Sequence, residues 1–444
     1  MAPSAPDLEE YRRDAEAFLR APAAADGDLQ GRLFSPDAVA GIVSAAREAA
    51  GAGARAPRAL ARFAAEGRLR AASAEEMQEL VRRLTDPVVE AGGDRIPLVA
   101  VDGVLAAEPD RGRRSALQAA RARAIENRLG GLVADARQRR EEAARELGAA
   151  SSEELLAGAA GIDLAALAEG AGRFLDAGDD LAARALDRLA RDALGLAGGD
   201  VDAADLPRLV RAPHLEPDLP AREAAGAVTR TLELLQIGTP LGAPAGSGLE
   251  GLAGYAEALR EAGALAAAAG ASPRLPPEAR LLPDPALARG AGALLEGLLA
   301  ERAWISRVLR LPDPEPTSRS AAAVRLLMAR AGAERVRAAA GRGDDDGLSR
   351  ALGLPWPPIL RLADGLAGLG PVDDLRGRTL GAVLRAHLQE AHGSRWFAEG
   401  AAGGLLRELW LEGGQLDPED VAGELGAPGL DPEALLAESA GAAG

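Results

Sequence analysis

His214, His387 and His392 are the only imidazoles in 444 residues, and there is no cysteine. The absence of thiols removes disulfides, thiolate zinc sites and cysteine nucleophiles together. All 51 basic side chains are arginine, so a phosphate loop of the G-x-x-x-x-G-K-[ST] kind cannot exist. The glycine-rich stretches do not open onto a strand–helix unit, which leaves a dinucleotide fold without support. There is no G-x-S-x-G, and Ser247 in GSGLEG lacks the preceding strand that a nucleophile elbow needs. His387 and His392 are five residues apart, which on a helix separates them by more than about 100°. His387 falls on an apolar face and reads as a core histidine. His392, in AHGSRW, reads as a cap or surface residue. His214 sits in the proline-bounded loop RAPHLEPDLP beside Glu216. A structural role leads there, with an acid–base pair as the alternative.

The elements that must position such groups are mostly helical. Asp179 to Leu196 places Leu181, Ala185, Leu189 and Ala193 on one stripe, and Arg376 to Glu390 repeats the pattern with Leu380, Val383, Leu384, His387 and Leu388. Ser73 before Glu75 and Glu76, and Ser151 before Glu153 and Glu154, read as helix starts. Asp417-Pro418 and Asp431-Pro432 read as two more, with Asp as cap and Pro at the first helical position. Residues 87–106 break the pattern: Gly-Gly-Asp and Asp102-Gly103 between β-branched runs predict a small hairpin or three-stranded sheet. The expected fold is therefore mainly α, a large helical assembly of one or two lobes with a small β element near residues 87–106. Residues 1–150 are expected to form an N-terminal helical region carrying that element, and 151–444 a second helical region.

Composition narrows the partners. The formal net charge is -16, which argues against nucleic acid or an anionic membrane surface. The N-terminus, MAPSAPDLEEYRRDAEAFLR, is charged within its first dozen residues and lacks a signal-peptide core, so a cytoplasmic protein is expected. Hydrophobic content of 48% with 27% charged residues suits a globular chain rather than a disordered one.

One helix carries a more specific pattern. GYAEALREAGALA, beginning at Gly254, has the shape of the metallopeptidase helix in which Tyr and Leu precede H-E-A-G-H. Zinc there needs two His one turn apart with the Glu beside them as general base. The corresponding slots hold Arg260, Glu261, Ala262, Gly263 and Ala264. Three further stretches match the same source: Glu108–Arg121 (EPDRGRRSALQAAR), Asp205–Ala224 (DLPRLVRAPHLEPDLPAREA) and Leu384–Gly413 (LRAHLQEAHGSRWFAEGAAGGLLRELWLEG). Along nearly its whole length the chain resembles the helical thimet-oligopeptidase-like zinc metallopeptidases, the gluzincins, and in particular a bacterial branch of them.

The resemblance implies a third zinc ligand, a Glu, on a later helix; the matching stretch is LARGAGALLEGL from Leu287, where Arg289 takes that place. It also implies an oxyanion-holding Tyr in a segment before the last long helix, yet Leu369–Leu380 has none. The stretch before the zinc helix is expected to be contracted to Ile237–Gly254. Arg260, Ala264 and Arg289 thus stand as degenerate ligand positions and Glu261 as a vestigial general base. Arginine at two of them repels a divalent ion, so no metal and no cofactor is expected. Arg260 and Arg289 either pair with Glu261 or Glu296 or face solvent.

The function implied is that of a catalytically inactive peptidase homologue, acting by binding or as a structural partner, with a peptide, a protein or an active paralogue as its ligand. The alternative is an enzyme of another class reusing the cleft through Glu261, His214 or Glu216, or a residual hydrolase. Helices Gly254–Ala269 and Leu287–Trp304 are expected side by side, brought close by Gly263, Ala264, Gly290 and Gly292.

Overall fold

Alanine-rich sequence with arginine and carboxylate on one face and leucine on the other yields helix after helix in the computed structural model. It describes residues 8–21, 27–49, 51–91, 93–238 and 250–439. Among the described residues the only sheet is a two-stranded hairpin, β1 (Pro87–Ala91) with β2 (Asp94–Pro97). Its register pairs Val89 with Ile96 and Ala91 with Asp94, and Gly93 takes a φ of 100° at the turn, a value that suits glycine alone. The β element is shorter than residues 87–106. Leu98 begins a helical turn, and Val101–Ala107 is α-helix because Val101 and Leu105, one turn apart, are both buried.

The capping signals act as their chemistry requires. Ser151 accepts from the Glu154 amide and opens Ser152–Ala160. Asp417 and Asp420 form a reciprocal capping box at Pro418–Glu424. Ser73 also marks a boundary, but its hydroxyl donates to the Leu69 carbonyl instead of capping the helix that follows.

Two hydrophobic cores result. The smaller joins Leu80, Val89, Leu98, Val101, Leu105, Leu117, Leu129 and Val133, so the hairpin packs on the long helix α2 (Arg111–Glu146). The larger takes in α1 (Arg55–Ala72) and most of the chain beyond residue 143. A buried ion pair, Arg114 to Asp205 at 2.6 Å, ties the start of α2 to the helix Leu206–Arg211.

Four helices frame the candidate site. They are α3 (Gly251–Gly270), α4 (Pro285–Glu296), α5 (Glu315–Ala339) and α6 (Gly370–His392). The run SAAAVRLLMARAGA makes α5 apolar on nearly every side, and it is buried almost throughout from Thr317 to Val336. The expected helix Leu287–Trp304 is interrupted. After Glu296 the backbone tightens into a 3-10 turn over Gly297–Ala300 and turns extended at Glu301, before helix resumes at Arg302. No single helix among the described residues is long and apolar enough to cross a membrane.

Candidate functional site

Small residues bring three helices of the site into backbone contact. A Cβ added at Gly263 on α3 would lie 2.4 Å from the Ala291 carbonyl oxygen, and one at Gly292 on α4 would lie 2.6 Å from that of Arg260. Helices can approach so closely only where side chains are absent. The expected side-by-side packing of these segments is therefore present, and Gly263 and Gly292 carry it. Gly290 faces the other way, toward Leu380 of α6, where Gly377 and Gly381 meet Arg289 and Ala293. The stretch Leu369–Leu380 does not precede the last long helix; it is the first half of α6 itself. Residues 239–249, most of the segment expected to be contracted, lie outside the described residues.

Arg260 turns its guanidinium onto Glu296, with Nε and Nη2 each 2.9 Å from a carboxylate oxygen. This fork is the strong form of the pair, because both partners are charged and two hydrogen bonds form in parallel. Its two halves differ in exposure: the Glu296 side chain is 5% exposed and that of Arg260 44%. Burial by itself would raise the Glu296 carboxyl, but the charges of Arg260, Arg378 and Arg325 outweigh it and hold the pKa down at about 2.

The pair opens onto a larger ionic cluster that the sequence reading did not anticipate. Arg325 of α5 lies 3.8 Å from Glu296, donates to the Ala293 carbonyl at 3.0 Å and holds Glu438 at 2.6 Å. Arg385 of α6 joins Glu301 at 2.6 Å, where Gln389 also donates, and approaches Glu438 at 3.7 Å. Arg378 pairs with Asp374 one turn back, at 2.8 Å. Four arginines thus face four carboxylates. The signal in the sequence was an arginine inside an apolar run, as at Arg325, which a buried helix keeps only when it has a partner.

The other expected residues separate. Glu261 is exposed, so it neither needs nor takes Arg260 as a buried counter-ion. Its neighbour claims the inward face because successive helix residues point about 100° apart. Ala264 is half-buried. Arg289 points toward the start of α6 and donates to the Gly370 carbonyl at 2.5 Å instead of joining Glu261 or Glu296. Tyr255 donates to the Pro220 carbonyl at 3.1 Å, and burial pushes its hydroxyl up to about 12.

His214 and Glu216 each have another partner. The imidazole Nε2 lies 3.3 Å from the Ser320 hydroxyl, while Arg211 holds Glu216 at 2.6 Å. Burial lowers the His214 pKa against the opposing pull of Asp192. His387 is half-buried on α6, and His392 is the residue with which that helix ends.

No family model matches the sequence, and no curated protein matches it. Solved structures do. A protein described as a candidate oligoendopeptidase F superposes with a TM-score of 0.61 at 12% identity, covering 99% of this chain and 96% of its own. A second candidate oligoendopeptidase F, from Bacillus anthracis str. Ames, gives 0.56 at 11% identity, with 98% and 82% covered. PZ peptidase A gives 0.53 at 12%, with 97% and 84% covered. The fold is that of the helical oligoendopeptidases.

The zinc ion implied by the resemblance can be tested against the side chains in its expected positions. Arg260, Ala264 and Arg289 offer two guanidiniums and a methyl, none with a lone pair to give a metal. These residues do not fit the ion, and no step through it follows. Among the described residues no group of three or more His, Asp or Glu stands close enough together to hold a metal.

Proposed function

We propose that the chain is an oligoendopeptidase scaffold without a zinc centre, a pseudopeptidase that acts by binding a peptide or protein. One observation carries the reading: the forked Arg260–Glu296 pair, where the resembled family's first imidazole is expected. A divalent cation there would compete with a guanidinium already held by its carboxylate. A cavity of about 690 Å³ beside α3 gives a peptide somewhere to sit. Ala106, Leu206, Val210 and Ala253 supply apolar wall, and Trp356 also lines it. The pairs Asp102–Arg121 and Arg211–Glu250 supply charge. That size and mixture of walls suit a few extended residues.

The positional mapping can be tested by restoration. The combined substitution Arg260→His, Ala264→His and Arg289→Glu rebuilds the expected ligand set on a close-packed frame. The folded triple variant should bind zinc stoichiometrically while the parent does not, read by metal analysis after dialysis. A folded triple variant with no more zinc than the parent would contradict the mapping.

A further inference from the structure

A second cavity, of about 320 Å³, lies by the N-terminal turns of α4, where Pro285 and Arg289 line it, about two turns before Glu296. Arg62 and Arg70 reach it from α1, Arg140 from α2 and Arg289 from α4, and the segment Gly365–Gly370 closes it. Arg62 is satisfied: it forks onto Asp373 at 2.9 and 2.6 Å and meets Glu66 at 2.8 Å.

The other three guanidiniums have no direct ion pair, although Glu66, Glu153 and Asp373 line the cavity with the four arginines, which leaves a net excess of one cation. Among the described residues none of them has a carboxylate within ion-pair distance. Arg140 gives its hydrogen bonds to neutral acceptors, the Ser73 hydroxyl at 2.9 Å and the Leu366 carbonyl at 2.7 Å. Arg289 donates to the Gly370 carbonyl. Arg70 has no hydrogen-bond or ion-pair partner among the described residues, and its charge acts on Arg140, whose pKa is lowered first by burial and then by Arg70, against the opposing pull of Glu153. Asp373, the deepest of these carboxylates, is pushed up by burial against the opposing pull of Arg62 and Arg289 and is already engaged by the Arg62 fork.

Like charges gathered at a half-buried site are unfavourable without a counter-ion, and the chain as a whole carries -16, so this excess of cation is local. Guanidinium forks match an oxyanion in both charge and geometry. We propose that this cavity is a binding site for a compact oxyanion, a phosphate or a small polycarboxylate, held by Arg70, Arg140 and Arg289. The site is independent of the peptide-binding reading above.

Calorimetric titration of the full chain with inorganic phosphate and with citrate tests it, at ionic strength matched by sodium chloride. One of the two anions should bind with saturable one-to-one stoichiometry; phosphate alone or citrate alone then identifies the class. Arg70→Gln removes an exposed, unpartnered side chain, so it should leave the melting temperature unchanged and weaken binding about tenfold or more. Arg140→Gln should weaken it further, and Arg123→Gln, an exposed arginine outside this cavity, should not change it. If neither anion gives more heat than chloride, or if Arg70→Gln binds like the parent, the proposal falls.

Discussion

Glu296 and Arg260 share one ion pair between the interior and the solvent, and that asymmetry sets what each substitution does. Glu296→Gln keeps the shape but gives up the charge facing Arg260, Arg325 and Arg378. Because Arg260 is 44% exposed, solvent screens the pair and the loss at neutral pH should be about 1–2 kcal/mol rather than the ~3–5 kcal/mol of a fully buried pair. The sign with pH follows from the depressed pKa. The carboxylate stabilises the fold above its unfolded value near 4.5, and that contribution is lost as pH falls toward about 2. Urea denaturation should show the gap between parent and Glu296→Gln at pH 7 and close it by pH 2–3; a gap independent of pH would refute the assignment. Arg330 is the opposite case, 2% exposed, donating at 2.7 Å to the carbonyls of both Leu175 and Ala351 and pairing with Asp179. Arg330→Ala strands those acceptors in the core and should cost about 3–5 kcal/mol in the same assay. At this scale the sequence included Glu296 among Arg260's possible partners. It could not show that Glu438, 113 residues beyond Arg325, completes the cluster. Nor could it place Glu261 outside, since that depends on the helix's rotation against its neighbours.

Helices were legible wherever a leucine stripe or a cap marked them. Asp179–Leu194 and the capped starts at Ser152 and Pro418 stand where periodicity and capping chemistry placed them. The break at Gly297 was not legible, because GLLAERAWI continues an apolar pattern while tertiary packing extends the backbone at Glu301. Of the hairpin and the three-stranded sheet that the sequence allowed, the hairpin formed and the segment after Pro97 is helix: Val101 and Leu105 fit a strand or a helix face equally, and burial against α2 decides. Close packing of α3 on α4 makes two glycines indispensable. Gly263→Ala or Gly292→Ala drives a methyl into a backbone carbonyl, so each should destabilise by about 1–3 kcal/mol. Gly131→Ala, on α2 with nothing within 4 Å of the added methyl, should instead stabilise by up to about 1 kcal/mol through helix propensity. Thermal unfolding of the three variants side by side checks both signs.

At the scale of the molecule, the fold of the helical oligoendopeptidases is present from one end of the described chain to the other, and an ion network of Arg260, Glu296, Arg325 and Glu438 lies where α3, α4 and α5 meet. Fold was readable because helical periodicity and four matching stretches extend over the whole sequence. The partners of Arg260 and Arg289 were only half readable, since a helix arginine can fold inward onto a carboxylate or outward into water, and the two took different courses. The proposed role rests on what the scaffold binds rather than on what it cleaves. The most direct measurement is made on the unaltered protein: metal content after purification in zinc-containing medium, together with cleavage of quenched fluorescent peptides at neutral pH. The account predicts substoichiometric zinc and no cleavage above buffer. One zinc per chain with peptide hydrolysis abolished by a chelator would contradict it.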